Sequence, residues 1–288
     1  MIDNFFFLSD NRKRGWFLKG RRLILSDIHG RSRALGQVLE RAGFRDGRDV
    51  LYSVGDFCDR GSGNLAVLEY LMSLSSFRPV LGNHDAWLQD YLRKGTEDEN
   101  WLYNNGGIKT LSELKDLPSK RKKEISQWFD GIPYVISGNS FLIVHGGPVL
   151  SGKVSGLKRK AHPRSWRETP DFRLVPSELW DRDYLSSAML WEKAREEGRS
   201  WEDYRDEVER NARAGGSRCD CMSRDPLVTR RTLFVGHSIV GDKPFSSEKY
   251  HICAIDTGAA SPEGYLTVMD IDTRQYWQSD RIDTIEEI

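Results

Sequence analysis

The chain has 288 residues, of which 38% are hydrophobic and 30% are charged, a composition typical of a soluble globular protein. Lysine plus arginine and aspartate plus glutamate both number 43, so general attraction to nucleic acid or to a membrane surface is not expected. No apolar run is long enough to cross a bilayer, and the N-terminal run Phe5–Leu8 is too short for a signal sequence, so we expect a cytoplasmic protein.

The first part of the sequence repeats one pattern: a short apolar run, a polar loop with glycine, and a helical stretch. The runs Arg22–Ser26 and Val50–Val54 predict two strands, and Arg78–Leu81 predicts a third. Apolar residues at helical spacing predict a helix after each of the first two strands. Strands that alternate with helices indicate an α/β fold with functional residues at the carboxyl ends of the strands.

Later apolar runs predict four more strands: Phe141–Val144, Thr232–Val235, Ile252–Ile255 and Tyr265–Met269. A segment rich in Arg, Glu and Trp lies between the first two, and its portion Tyr184–Arg213 predicts a helix with dense opposite charges. We interpret residues 151–230 as a helical cap-like insertion within a single domain of residues 1–288. We expect its tryptophans to pack a small core: Trp166, Trp180, Trp191 and Trp201.

Candidate chemical residues collect where the predicted strands end. Four of the six histidines directly follow a predicted strand beside Gly or Asp: His29, His84, His145 and His237. The segment 55–61 (GDFCDRG) has the same placement after the second strand. Glycine at such junctions allows a sharp turn and the close approach of a metal or a phosphate. Imidazole and carboxylate groups together suit divalent transition metals, and a mixed set can hold two of them.

Five motifs occur in a fixed order along the chain: Asp27-x-His29-Gly30, Gly55-Asp56-x-x-Asp59-Arg60-Gly61, Gly82-Asn83-His84-Asp85, His145-Gly146-Gly147 and Gly236-His237. Together they resemble those of the calcineurin-like metallophosphoesterases. The Asp-Arg-Gly end of the second motif resembles the phosphoprotein phosphatase branch, which includes bacterial and phage serine/threonine phosphatases and the symmetrical diadenosine tetraphosphate hydrolases. The resemblance implies a four-layer α/β/β/α sandwich with two mixed sheets, metals at one edge, and the insertion over the mouth of the site.

The resemblance also implies a ligand set for two divalent metal ions: Asp27, His29, Asp56, Asn83, His145 and His237. Asp27 and His29 would bind the first metal, and Asp56 would bridge both. The three remaining ligands would complete the second metal. The family uses Mn²⁺, Fe or Zn²⁺, and we expect Mn²⁺. Two cations roughly 3.5–4 Å apart would activate a shared water as hydroxide for direct attack on a phosphomonoester.

Three further residues are implied to act on the phosphate ester. His84 is the candidate general acid for the leaving alkoxide, and Asp59 is its partner in the family. A carboxylate beside an imidazole favours the protonated form of the ring. Arg60 is expected to bind the phosphate, because its planar guanidinium can contact two oxygens at once.

A second phosphate-binding arginine is assigned to Arg182 on the resemblance of its Leu-Trp-x-Arg segment. The rival alignment, at Leu190–Lys193, would leave that arginine unidentified. Two positions depart from the branch: Asp85 stands where Glu is typical, and Cys58 stands where Val is usual, which we interpret as a small buried neighbour. The turn that begins at Asp256 resembles a late element of the family and is expected to shape the site wall.

These expectations favour a metal-dependent phosphatase whose substrate is a phosphorylated protein, a small phosphate ester or a nucleotide. The first hypothesis is a bacterial-type protein serine/threonine phosphatase. The alternative is a pyrophosphohydrolase that acts on diadenosine tetraphosphate or a related nucleotide. A non-catalytic scaffold of the same fold is the third, and the complete set of ligand types and the candidate acid argue against it.

Overall fold

The computed structural model describes residues 20–147, 179–214, 226–227 and 229–285. Within these ranges the strands are β1 (Arg22–Leu25), β2 (Val50–Ser53), β3 (Phe77–Pro79), β4 (Ile136–Ser137), β5 (Phe141–Ile143), β6 (Thr232–Val235), β7 (Phe245–Ser247), β8 (Ile252–Ala254), β9 (Thr267–Asp270) and β10 (Tyr276–Gln278). The helices are α1 (Ser32–Ala42), α2 (Asn64–Ser73), α3 (Asn83–Lys94), α4 (Gly107–Leu114), α5 (Ser119–Asp130), α6 (Asp183–Glu196), α7 (Trp201–Ala214) and α8 (Ile282–Ile285). A π-helical turn spans Asn100–Asn104.

The strands form two mixed sheets, each with parallel strands at its centre. The first sheet has the order β10-β9-β1-β2-β3, in which β1, β2 and β3 are parallel and β9 runs antiparallel to β1. The second has the order β4-β5-β6-β8-β7, in which β5, β6 and β8 are parallel and both edge strands are antiparallel. The predicted α/β fold with two mixed sheets is therefore confirmed.

Alternating side chains in the strands build the layers. In β1, Leu23 and Leu25 pack with buried residues of α1 and α2, whereas Ile24 points into the core between the two sheets. In β6, Phe234 enters that same core, while Leu233 on the other face packs with residues of α6. This period of two is the ordinary geometry of a strand buried on both faces. It places helices outside each sheet, in the order helix, sheet, sheet, helix.

The strand predictions are close to the structure. Five of the predicted strands begin at the predicted residue, which are β1, β2, β5, β6 and β8. The third strand begins one residue earlier than predicted, at Phe77, and β9 begins two residues later, at Thr267. The segment Tyr184–Arg213 is helical as predicted, but the structure divides it into two helices, α6 and α7. Gly198 lies between them with a φ of +66°, the left-handed conformation in which glycine commonly ends a helix.

Helix α6 packs on the outer face of the second sheet. The buried Tyr184 donates its hydroxyl to the carbonyl of Tyr250 (2.6 Å) and accepts a hydrogen bond from the backbone N–H of Leu227 (2.9 Å). The rest of the predicted insertion, with Trp166, lies largely outside the described residues, so the cap-like role of residues 151–230 stays a prediction. None of the described helices combines the length and the apolarity that a membrane span needs.

The N-terminus of α2 is capped by Glu113 of α4. The two Glu113 oxygens accept hydrogen bonds from the backbone N–H groups of Leu65 (2.9 Å) and Asn64 (3.1 Å), and from the Asn64 side-chain amide (2.5 Å). The buried Asn64 in turn accepts from the backbone N–H of Asp59 (2.7 Å) and donates to the carbonyl of Gly61 (3.0 Å). A negative group at a helix N-terminus satisfies N–H groups that have no helical partner. Here the cap also fixes the loop after β2.

We predict that Glu113→Ala lowers the free energy of unfolding by about 1–2 kcal/mol, because it removes the acceptor for two N–H groups of α2. Urea unfolding followed by circular dichroism measures the change. Glu40→Ala, an exposed position on α1, is the control and should stay within about 0.5 kcal/mol of the parent. A loss no larger than that of the control would show that Glu113 does not cap α2.

Candidate metal centre

The candidate site lies where the carboxyl ends of parallel strands from both sheets meet. Asp27 follows β1, and its Oδ2 accepts a hydrogen bond from the backbone N–H of His237, which follows β6 (2.9 Å). Asn83 lies beyond β3, and its Oδ1 accepts a hydrogen bond from Nε2 of His145, which follows β5 (2.9 Å). Each of these bonds joins one sheet to the other. Motif residues far apart in sequence are therefore neighbours.

Asp56 lies at the centre of this arrangement. Two groups of side chains have candidate ligand atoms that lie within 4.8 Å of one another: His29 with Asp56 and His84, and Asp56 with His145 and His237. Asp56 Oδ2 is 3.7 Å from His29 Nε2 and 3.3 Å from His145 Nε2. Asp56 thus belongs to both groups, which is the position that the bridging ligand of two metals would need.

Backbone carbonyls orient two of the imidazole rings. His29 Nδ1 donates to the carbonyl of Cys58 (3.0 Å), and His145 Nδ1 donates to the carbonyl of Val54 (2.7 Å). In both rings Nε2 is then the atom that faces Asp56. Hydrogen bonds of this kind fix the ring and its tautomer in metal sites. Cys58 itself is fully buried, as predicted, and burial raises the pKa of its thiol well above the usual value.

The backbone of the site is strained at the functional positions. Five site residues have left-handed conformations without being glycine: His29 (φ +48°), Asp56 (φ +55°), Asp59 (φ +75°), Arg60 (φ +64°) and His237 (φ +65°). Such conformations cost about 1–3 kcal/mol each and persist only where surrounding contacts enforce them. The contacts of the fold therefore hold these five residues in conformations that they would otherwise seldom adopt.

Two glycines allow carboxylates to approach the backbone closely. A Cβ atom at Gly236 would lie 2.1 Å from Asp27 Oδ1, and one at Gly82 would lie 2.1 Å from Asp56 Oδ1. Any larger residue would displace the carboxylate. The glycines of the third and fifth motifs are therefore required by the packing of the two central aspartates.

The charge distribution fits bound cations. Asp27 Oδ1 is buried and has no hydrogen-bond partner among the described residues. Burial and the neighbouring Asp256 raise the pKa of Asp27 well above its usual value, and burial together with Asp56 raises the pKa of Asp256 to about 6. Crowded buried carboxylates with an unpaired oxygen are stabilised by a nearby positive charge. Carboxylate, imidazole and amide oxygen donors together suit divalent transition metals, so the residues fit the implied group.

The imidazoles carry contrasting charges. Burial opposes the protonation of His145, but the carboxylates of Asp56 and Asp27 outweigh it and raise the His145 pKa to about 10. Burial and the nearby His145 lower the pKa of His237 to about 3. Burial and His84 lower the pKa of His29 well below its usual value. Without a bound cation, these shifts favour a protonated His145 beside Asp56 and neutral rings at His29 and His237.

The Asp59–His84 pair is held from three sides. Asp59 is fully buried, and its Oδ2 accepts hydrogen bonds from His84 Nδ1 (2.6 Å) and from the indole N–H of Trp101 (2.7 Å). Its Oδ1 accepts from the Thr110 hydroxyl (2.5 Å). The carboxylate cannot rotate without breaking one of these bonds, so the His84 ring is fixed with Nε2 available. Trp101 and Thr110 belong to no motif, so no signal in the sequence could have found them.

Asp85 ties the second motif to the third. Its carboxylate accepts hydrogen bonds from the backbone N–H groups of Asp56 (2.7 Å), Phe57 (2.9 Å) and Gly82 (2.9 Å). Burial and the nearby Asp56 raise the Asp85 pKa to about 7. In the sequence, Asp85 stands out only as a departure from the branch. Its position in the first turn of α3 was the available signal, because acidic residues there often bond the N–H groups at the helix start.

Each arginine assigned to phosphate binding lies near a candidate ligand: the charge of Arg60 helps to lower the pKa of His29, and Arg182 contacts His237. Arg60 is half-buried and donates to Asn105 Oδ1 (3.2 Å). Arg182 is exposed, and its Nε donates to His237 Nε2 (3.1 Å). In the rival segment, on α6, Trp191 instead packs against the core on the outer face of the second sheet.

The expectation for the tryptophans of the insertion is only partly correct. Trp191 is half-buried in a core, as predicted. Trp180 does not join such a core: its side chain is 41% exposed, and its ring contacts Trp87 and His237 beside the candidate site. Burial depends on tertiary neighbours that the local pattern does not contain.

Known proteins resemble parts of this chain. A symmetrical bis(5'-nucleosyl)-tetraphosphatase of Dechloromonas aromatica is 30% identical over 158 residues, which are 54% of this chain and 54% of that protein. Serine/threonine-protein phosphatase 2 of Salmonella typhimurium is 32% identical over 126 residues, which are 42% of this chain and 56% of that protein. The chain thus spans about half the length of the curated relatives it matches.

The fold has relatives among solved structures as well. A cold-active protein-tyrosine phosphatase of a psychrophilic Shewanella species superposes with a TM-score of 0.55 at 16% identity, over 91% of this chain and 80% of that one. At this identity the likeness concerns the fold alone. Residues 20–214 match the family described as calcineurin-like phosphoesterase. Because that match covers more than half of the sequence, the chain belongs to the calcineurin-like phosphoesterase family.

Proposed function

We propose that this chain is a metal-dependent phosphoesterase that hydrolyses phosphomonoesters, with phosphorylated serine or threonine in a protein as the leading substrate. One observation carries the proposal: Asp56 belongs to two groups of candidate ligands, and the Asp59–His84 pair lies beside them. A shared carboxylate with a positioned imidazole is what hydrolysis without a covalent intermediate needs.

The proposed ligands divide between two divalent cations, with Mn²⁺ first and Fe or Zn²⁺ as alternatives. Asp27, His29 and Asp56 would hold one cation. Asp56 would share the other with Asn83, His145 and His237. Bound there, the cations would lower the pKa of a water and neutralise negative charge on the phosphoryl oxygens. The hydrogen bonds that Asn83 and Arg182 share with the imidazoles occupy candidate ligand atoms, so cation binding would replace them.

The remaining residues act on the ester itself. His84 would give a proton from Nε2 to the leaving oxygen, while Asp59 holds Nδ1 of the same ring. Arg60 and Arg182 would contact phosphate oxygens. The guanidinium of Arg182, freed from His237, would be available for this contact.

A second candidate activity is the hydrolysis of diadenosine tetraphosphate. Of the two relatives described above, the tetraphosphatase aligns over the larger share of this chain. The same chemistry on a phosphoanhydride would need the same metal ligands and the same arginines. The third hypothesis, a scaffold without activity, would leave the Asp59–His84 pair and the strained ligand loops without a purpose.

A substrate panel tests the proposal directly. With Mn²⁺ supplied, we expect turnover of p-nitrophenyl phosphate and a higher kcat/KM for a phosphoserine peptide than for diadenosine tetraphosphate. A clear preference for the nucleotide would move the assignment to the second candidate. No turnover of any of the three with Mn²⁺, Fe²⁺ or Zn²⁺ would support the scaffold hypothesis.

We predict that His84→Asn lowers kcat on an alkyl phosphate by about two or more orders of magnitude, because the leaving alkoxide loses its proton donor. The loss should be smaller on p-nitrophenyl phosphate, whose leaving group needs no proton at neutral pH. Elemental analysis should find the same metal content as in the parent. Parent activity on the alkyl phosphate would refute the general-acid assignment.

We predict that Asp56→Asn loses bound metal, because one carboxylate serves both proposed cations. Elemental analysis after dialysis against Mn²⁺ at a limiting concentration measures the metal per chain. The control is Asp116→Asn, an exposed aspartate outside the site, which should bind as much metal as the parent. Full occupancy in Asp56→Asn would contradict the bridging role.

A further inference from the structure

Four aromatic rings form an arc along one side of the site. The ring of His84 lies 5.2 Å from that of Trp87, Trp87 lies 5.0 Å from Trp180, and Trp180 lies 5.8 Å from His237. His84, at one end of the arc, lies in the group with His29 and Asp56. His237, at the other end, lies in the group with Asp56 and His145. The two indole rings therefore border the space where the proposed phosphate would bind.

Helix geometry places the first indole. Trp87 follows His84 by three residues in α3, so both side chains lie on the same face of the helix. A helix that presents His84 from its first turn must present residue 87 next to it. Trp87 is half-buried, so part of its ring remains accessible.

The neighbours of Trp180 hold the second indole at the site. Leu179 is fully buried in the main core, and the Asp181 side chain packs against Gly147, where an added Cβ would lie 3.2 Å from Asp181 Cγ. Arg182 is hydrogen-bonded to His237. The segment is thus anchored on both sides of Trp180, yet 41% of that side chain is exposed. A large apolar ring kept partly in water beside a polar site gains free energy when a ligand covers it.

We propose that Trp87 and Trp180 form a ring-binding surface that selects phosphate esters with a planar aromatic ring close to the phosphate. The inference rests on the proposed function for the position of the phosphate. Aromatic rings attract one another through offset or edge contacts as well as through burial, and indole stacks on any planar ring. The ring can come from a nucleobase or from an aromatic side chain beside the phosphorylated residue of a protein.

The first test measures binding without turnover. Phenylphosphonate and cyclohexylphosphonate have similar size, and their C–P bonds are not hydrolysed. We expect the Mn²⁺-supplied protein to bind the planar phenyl compound about fivefold more tightly, as measured by calorimetry. Trp180→Leu should abolish this difference, and Trp87→Leu should reduce it. Trp180→Phe, which keeps a ring, should retain most of it.

Tyr70→Leu is the matched control, because Tyr70 is also 41% exposed but lies on α2 outside the arc. It should keep the full preference for the phenyl compound. Equal binding of the two phosphonates by the parent would overturn the proposal, as would a preference that survives in both Trp180→Leu and Trp87→Leu.

The second test identifies the source of the ring. A phosphoserine peptide with a flanking Phe is compared with the same peptide carrying Leu, and adenosine 5'-phosphate is compared with ribose 5-phosphate. We expect Trp180→Leu to lower the ratio of kcat/KM within one of these pairs by about tenfold. The pair affected names the source. Unchanged ratios in both pairs would contradict ring selection. If no ester is hydrolysed while phenylphosphonate binding still depends on Trp180, the proposed function fails and the ring-binding surface stands.

Discussion

The arrangement of the site depends on the burial of Asp56 among other charged groups. Its carboxylate lies between imidazoles from both sheets, and its backbone is held in a left-handed conformation. Burial favours the protonated form of the carboxyl, but His145 and His84 outweigh this and hold the pKa of Asp56 well below its usual range. Two hydrogen bonds fix the position of Asp56. Its backbone N–H donates to the Asp85 carboxylate, and its Oδ1 accepts from the backbone N–H of His84 (3.0 Å). Charge and backbone geometry therefore support each other at this residue.

The two sheets make this concentration of polar groups possible. Parallel strands end together, so loops from β1 and β2 meet at one edge of the first sheet, and loops from β5 and β6 meet at one edge of the second. The core between the sheets, with Ile24 and Phe234, keeps these edges together. Loops that would otherwise move are anchored by hydrogen bonds to the opposite sheet, such as that between Asn83 and His145.

Much of this could be predicted from the sequence because the relevant patterns are local. An apolar run followed by Asp or His beside glycine marks both a strand and the position of a polar residue at its end, as at Asp56 and His145. The partners of Asp59 could not be predicted in this way. Trp101 and Thr110 are 42 and 51 residues away from it along the chain, and nothing in their own surroundings indicates the contact. The prediction that Trp180 packs in a core is wrong for the same reason, because its exposure is set by tertiary neighbours.

The pairing of β1 with β9 has a consequence for how the protein is made. The backbone N–H of Ser26 donates to the carbonyl of Thr267, 241 residues later. Next to this contact, β1 and β9 pair as antiparallel strands, with Leu25 opposite Val268. During synthesis from the N-terminus, β2 can pair with one side of β1 early, while the other side of β1 keeps unpaired N–H and C=O groups until β9 emerges. An open strand edge of this kind can pair with other chains. By pairing with β1, β9 therefore covers a strand edge that stays open for most of the synthesis of this chain.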